Sequence, residues 1–398
     1  MKTEKLEVPF GFYKTEFVSF DPIYKIDQNK PAILTLNSPF KFDGLVMHAL
    51  SHYKAHLKEG YDTYILLPKG SELEKKLIEE KLPYYRFTQS NIFRNHRQPG
   101  MKRIIEAIVK KHNIKIIHCN RHKEIRMLER IKNMDVKIIL TRHSPSALKT
   151  KYLKQFNTMF CVDQNCINRI NTKCNDKKIK APKIKHLAPF FDEKESLNFK
   201  PTIENRKEFF KKEFGIDLPD YPTIAMVACL RGYKNHQLMF KAVEKLVHKK
   251  NKPINLLLCG QGYKEKYLRD LAKQLKIDKY IHFLGFTYKR IEVMYHSDIK
   301  ALTTKDEAFG IVLMEAALIK KPLLGPTKTG VVNTIKHQKT GLLFENGNVY
   351  DLVEKLEKLI GNPELRKEYG QNAYEHVKNN FLSDVLIKSV ENFYKEIM

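Results

Sequence analysis

What most constrains this chain is an alternation of short apolar runs with amphipathic stretches, carried through once and then begun again. Residues 31–38 (PAILTLNS), 63–68 (TYILLP), 114–120 (IKIIHCN), 136–144 (VKIILTRHS) and 158–164 (TMFCVDQ) have the length and composition of buried strands. Between them lie stretches of helical periodicity, among them 71–81, opened by Ser71 with acids in its first turn. Short buried strands separated by helices specify a parallel sheet covered on both faces. The pattern restarts with strand candidates at 223–230, 254–260, 280–285, 299–304 and 321–326, and helices near 235–249, 263–276, 310–319 and 350–360. The expected class is α/β. An arm of unknown role spans 1–30, a first doubly wound domain 31–190, a polar linker 191–221, a second doubly wound domain 222–380 and a closing helix 381–398. Two such halves leave a cleft between them, the usual place for a ligand.

Composition narrows the classes. With 42% hydrophobic residues the 398-residue chain can bury ordinary cores and is not disordered. No apolar run reaches the ~18 residues that would span a bilayer, and the N-terminus lacks a secretory h-region. Six cysteines without a framework pattern point to a reducing cytoplasm. The net charge of +27 is uneven: residues 81–190 hold 26 basic and 6 acidic side chains, a surplus of 20. Such a segment attracts a polyanion, either nucleic acid or an anionic membrane surface. The plainer alternative is a Lys-rich surface that only solubilises.

The sharpest chemistry lies at 303–316, Thr-Thr-Lys-Asp-Glu-Ala-Phe-Gly-Ile-Val-Leu-Met-Glu-Ala. Glu307 falls at a strand-to-helix turn, and Glu315 falls inside a helix beginning near Gly310. The unpaired N–H groups of Phe309, Gly310, Ile311 and Val312 then point out of the helix N-terminus, ready for a phosphate. Carboxylates repel phosphate, so the two glutamates are better read as acceptors for sugar hydroxyls.

The segment Glu-Ala-Phe-Gly-Ile-Val-Leu-Met-Glu resembles the E-x7-E signature of retaining GT-B glycosyltransferases, specifically glycosyltransferase family 4. Its surroundings are similar in order and spacing: Leu-Cys-Gly-Gln-Gly-Tyr (258–263), His-Phe-Leu-Gly-Phe-Thr (282–287), Tyr-His-Ser-Asp-Ile (295–299), Lys-Lys-Pro-Leu-Leu-Gly (320–325) and Lys-Thr-Gly-Leu-Leu-Phe (339–344). The resemblance is good over 220–380 and loose over 31–190. It implies two Rossmann-like domains facing a central cleft, and a nucleoside-diphosphate sugar as donor. By that resemblance Glu315 meets the ribose hydroxyls and Glu307 the donor sugar. The amides of 309–312 meet the diphosphate, Phe286 and Thr287 lie near the base, and Gly260 belongs to the same donor-binding set. Lys234 and Arg231 match the family's basic pair, although Cys229 stands where the common pattern has arginine.

On the acceptor side, Gly44 sits where the family has a Gly-rich loop, here with one glycine after Asp43. Thr-Arg-His (141–143) resembles a Thr-x-His segment, making His143 the residue expected to orient the sugar. His118 and Asn120 are further acceptor-side candidates. Cys161, Cys166 and Cys174 lack zinc-ligand spacing, His48 and His52 are expected on a helix surface, and 173–185 as a solvated loop. The resulting expectation is a cytoplasmic hexosyltransferase with anomeric retention, no metal and no cofactor. Its glycan or lipid-linked, lipopolysaccharide-type acceptor would be met at an anionic membrane surface. Alternatives are a basic nucleic-acid-binding protein, which leaves the two glutamates unexplained, and a GT-B phosphorylase.

Overall fold

A computed structural model of the chain describes residues 1–8, 14–21, 24–41, 43–88, 99–121, 124–128, 134–143, 153 and 158–398. Phe42 and Ser144, which flank two of the motifs above, lie outside the described residues. The chain divides into two compact units, Met1–Asp192 together with Ser383–Met398, and Glu193–Leu382.

The first unit is built on nine strands: β1 (Lys2–Lys5), β2 (Thr15–Ser19), β3 (Ala32–Leu36), β4 (Thr63–Pro68), β5 (Tyr84–Phe87), β6 (Ile114–Cys119), β7 (Lys137–Arg142), β8 (Thr158–Cys161) and β9 (Lys183–His186). Their order is β1-β2-β5-β4-β3-β6-β7-β8-β9, with β3 to β9 parallel and β1 and β2 antiparallel at one edge. The second unit carries a wholly parallel sheet of β10 (Thr223–Val227), β11 (Asn255–Cys259), β12 (Ile281–Gly285), β13 (Ile299–Ala301), β14 (Leu323–Pro326) and β15 (Gly341–Phe344), ordered β12-β11-β10-β13-β14-β15. Both are doubly wound: the chain works outward from one central strand, then returns and works outward the other way. The reversal falls between β3 and β6 in the first sheet and between β10 and β13 in the second.

Four expectations need correction. Part of the expected arm, β1 and β2, is sheet: β2 pairs with β5 and buries Val18 completely. The segment expected as a linker carries helices Glu193–Leu197 and Arg206–Phe214. The second sinks Phe209 and Phe210 into a cluster with Leu257 and Val293. Those two phenylalanines stand among charged residues, which hid their periodicity. The presumed loop 173–185 contains the end of helix Gln164–Asp176 and the start of edge strand β9. Lysines on such an edge discourage further strand pairing.

The fourth correction concerns helix Gly44–Lys58, which turns His48, His52 and His56 inward. At i, i+4 and i+8 they form one stripe. His52 stacks on Phe190 with centroids 4.4 Å apart and lies 4.8 Å from His118, while His48 lies 4.3 Å from His143. His56 Nε2 meets Tyr394 Oη at 3.1 Å, so the closing helix Ser383–Ile397 caps the same stripe. Burial holds all five rings neutral, with His118 and His143 pushed down to about 3 and the other three also lowered. An unfolded histidine titrates near 6.5, so unfolding takes up protons below that value and stability is lost as the pH falls. Each ring contributes up to about 1.4 kcal/mol per pH unit. We therefore expect the thermal midpoint, followed by circular dichroism, to drop steeply between pH 6.5 and pH 4.5; a flat profile there would contradict the buried stripe.

Candidate functional site

The reversal between β10 and β13 sends the connections that leave these two strands in opposite directions, opening a crevice at the C-terminal edge of the second sheet. Hydrogen bonds stitch the crevice together. The Thr303 hydroxyl donates to the Asn235 carbonyl at 3.0 Å and the Thr304 hydroxyl to the Tyr233 carbonyl at 3.1 Å. The Lys305 N–H donates to that same Tyr233 carbonyl at 2.8 Å. These bonds bring Lys234 Nζ against Glu307 Oε2 at 2.5 Å, with side chains 15% and 18% exposed. From the other side the Gly330 N–H donates to the Glu307 carbonyl at 2.7 Å. A Cβ on Gly330 would lie 1.8 Å from the Ala308 oxygen, so only glycine permits this approach.

Gly310, with φ of 87°, caps helix Ile311–Leu318 without any side-chain hydrogen bond. The first amides of that helix have no intrahelical acceptor and carry its positive dipole end, so Gly310, Ile311 and Val312 present donors beside Glu307. Phe309 contributes backbone only, because its ring is buried 5.3 Å from that of Phe381.

Glu315, on the same helix, is 2% exposed. Burial raises its carboxyl above the ordinary range, and Arg290 opposes this with Nη2 at 2.9 Å and Nε at 3.3 Å. Arg290 also holds Glu195, so one guanidinium joins two acids. Sequence reasoning missed Arg290. The signal was indirect, since an acid within Ile-Val-Leu-Met-Glu-Ala-Ala-Leu must find a cation, but nothing local says which. Lys300 of β13 was missed too. It is 1% exposed, burial pushes its amine down to about 7, and it senses Glu315, Glu307, Lys234 and Cys259, which places these groups in one neighbourhood.

Gly260 adopts φ of 146°, donates to the Gly285 carbonyl at 2.8 Å and would drive a Cβ to 2.2 Å from the Ala228 oxygen. This packs the connections after β10, β11 and β12 together. Phe286 is 62% exposed, with its ring 5.0 Å from that of Tyr288, and the Thr287 hydroxyl accepts from the Lys289 N–H at 3.0 Å. Arg231 is exposed, at the cap of the single turn Gly232–Lys234.

The acceptor-side candidates belong to the first unit. Gly44 is the first residue of helix Gly44–Lys58, whose cap is Asp43. A Cβ on Gly44 would meet nothing within 4 Å, so the backbone there does not demand glycine. His143 follows β7 and is half-buried against His48. His118 lies inside the core rather than at the rim, with Nε2 2.5 Å from the Thr141 hydroxyl. Asn120 follows β6 and is buried. Among the described residues no group of three or more His, Cys, Asp or Glu is placed to hold a metal, and no helix is long and apolar enough to cross a membrane.

Residues 206–376 match the family described as glycosyl transferases, group 1. The chain is 26% identical over 274 residues to N-acetyl-alpha-D-glucosaminyl L-malate synthase of Bacillus anthracis, covering 69% of this chain and 68% of that relative. Other curated relatives are matched over less than half of their own length. A glycosyltransferase from Rickettsia africae superposes with a TM-score of 0.73 at 22% identity, over 93% of this chain and 99% of its own. Anabaena HepE, solved with UDP and glucose, also gives 0.73, at 16% identity, over 92% and 100%. The fold is GT-B. With the matched family, the likeness to the Bacillus anthracis relative supports a glycosyltransferase.

Removing Arg290 leaves Glu315 and Glu195 without their shared cation, and breaking a buried pair costs about 3–5 kcal/mol. Urea unfolding of Arg290→Ala should show a loss of that order, largely restored in Arg290→Ala/Glu315→Gln. Additive losses in the double variant would disprove the coupling.

Proposed function

We propose that this chain moves a glycosyl group from a nucleoside-diphosphate sugar to a hydroxyl of a glycan or lipid-linked acceptor, with retention of anomeric configuration. The observation that carries this reading is the uncapped helix start at Gly310 beside the Lys234–Glu307 pair, at the point where the strand order of the second sheet reverses. Free amides and a lysine suit a diphosphate, and carboxylates next to them suit sugar and ribose hydroxyls. Support comes from HepE, a fold neighbour whose structure holds UDP and glucose.

In the proposed reaction the bond from the anomeric carbon to the leaving phosphate oxygen breaks, and a bond to the acceptor oxygen forms on the same face. The departing phosphate oxygen takes the acceptor proton, so no side chain need act as base. Lys234, Arg231 and the amides of 309–312 stabilise the charge that collects on the diphosphate, without a metal or cofactor in the scheme. Glu307 is assigned to donor-sugar hydroxyls and Glu315, held by Arg290, to the ribose. Phe286, Thr287 and Gly260 shape the base side. In the first unit, His143, Gly44 and Asn120 are assigned to the sugar and acceptor, with His118 supporting them from within.

The test begins with UDP-, GDP- and ADP-sugars, screened for thermal stabilisation and hydrolysis of the full chain. With the donor so found, Lys234→Ala and Glu307→Ala should each lower transfer about 100-fold or more while the fold is kept. Near-normal turnover in both purified variants would refute the assignment.

The surplus of 20 positive charges in residues 81–190 falls in the unit assigned to the acceptor. We infer peripheral binding to an anionic membrane face and an acceptor of lipopolysaccharide type. Co-sedimentation with liposomes should rise with anionic lipid content and fall with salt; binding indifferent to both would count against it.

A further inference from the structure

The first sheet has a reversal of its own, between β3 and β6, and a buried carboxylate sits across it. Glu124 is fully buried. Its Oε1 accepts from the Ser38 N–H at 3.0 Å and the Ser38 hydroxyl at 3.2 Å, and its Oε2 accepts from the N–H groups of Asn120 at 2.8 Å and Arg121 at 3.0 Å. All four donors are neutral, and burial pushes the carboxyl up to about 7 in spite of them. The same corner is tied a second time: Arg121 Nη2 reaches Asp43 Oδ2 at 2.5 Å, and Asp43 caps helix Gly44–Lys58. Glu124 therefore fixes the backbone that leaves β3 relative to the backbone that leaves β6.

That backbone carries two asparagines. Leu36 pairs in register with Cys119, which makes Asn37 and Asn120 the next residues of adjacent strands, at the sheet edge where ligands of doubly wound folds bind. Asn37 is 1% exposed and Asn120 is 3% exposed. Among the described residues Asn37 Nδ2 and both Asn120 Nδ2 and Oδ1 are buried without a hydrogen-bond partner, as is His143 Nε2 beyond the neighbouring β7. An amide left unpaired inside a protein costs about 1–3 kcal/mol, so three such atoms at one corner call for a partner, supplied by an ordered water or by a ligand. The missing partner must offer both donors and acceptors to a pair of neutral amides, and it has no need of charge.

We propose that Asn37 and Asn120, set by Glu124 as a positioning residue, form a subsite that reads neutral hydroxyls of the saccharide acceptor. The assignment of this subsite to an acceptor rests on the glycosyl-transfer reading above, whereas binding of a saccharide there does not. Asparagine amides can exchange paired donor and acceptor bonds with the adjacent hydroxyls of a sugar ring, and Glu124 keeps the two amides at a constant spacing.

The experiment uses the full chain and four probes, the methyl glycosides of glucose, galactose, mannose and N-acetylglucosamine, with binding read by saturation-transfer NMR. At least one probe should bind, with an affinity on the order of millimolar. Asn120→Leu and Asn37→Leu should each weaken that probe about tenfold. Glu124→Gln, which sets an amide NH2 against two of the four donors, should lower the thermal midpoint and weaken the probe as well, while the calorimetric nucleotide affinity stays near that of the unsubstituted chain. A purely structural role for Glu124 would instead lower both affinities together. No binding of any probe, an unchanged affinity in both asparagine variants, or a crystal structure with the probe that shows only an ordered water on these amides would overturn the subsite. If the wild-type chain binds a methyl glycoside here but no nucleotide, the glycosyl-transfer reading fails and the subsite stands.

Discussion

The candidate site of the second unit depends on one ion pair and the loops that force it together. Lys234 and Glu307 leave different strands, and neither would hold the other at a solvated surface, where such a pair is worth little. Thr303, Thr304 and Lys305 bond to the backbone around Lys234, and Gly330 bonds to the backbone of Glu307, so the charged groups meet on fixed supports. Partial burial then strengthens their attraction. The helix start at Gly310 follows three residues after Glu307, so its orientation comes from the same supports.

Buried charge is the second organising theme. Glu315 and Lys300 sit under the crevice, where solvation is poor and each needs a nearby opposite charge. Arg290 meets this need for Glu315 and at the same time secures the segment around Glu195. In the first unit Glu124 is satisfied in a different way, by four neutral donors from two loops. The Glu124 network ties together connections that diverge from a reversal in strand order, as the Lys234–Glu307 pair does in the second unit, which is where a doubly wound sheet needs cross-links.

Much of the architecture was legible in the residues. TYILLP became β4 at the expected bounds, Ser71 caps its helix by accepting from the Glu74 N–H, and Gly310 caps the helix that carries Glu315. Each failure has a local cause. β1, β2 and β9 were not read because they are short and partly exposed, and β5, though buried, is four residues long, so period-two alternation had little room to show itself. His48, His52 and His56 were assigned to the wrong face because histidine is neutral enough to be buried yet scores as polar. Phe209 and Phe210 were concealed for another reason, the charged residues on either side of them.

Local patterning along the chain is enough for two doubly wound halves, the position of the uncapped helix, and the chemical types gathered after the strands of the second half. These are local properties, set by periodicity and by the free N–H groups of a helix start. Which lysine meets Glu307, that Arg290 serves Glu315, and that Glu124 bonds to Ser38, 86 residues away in sequence, are settled by folding alone. Those partnerships come from strand order, which places distant connections side by side, and one strand's residues cannot specify which others will stand next to it.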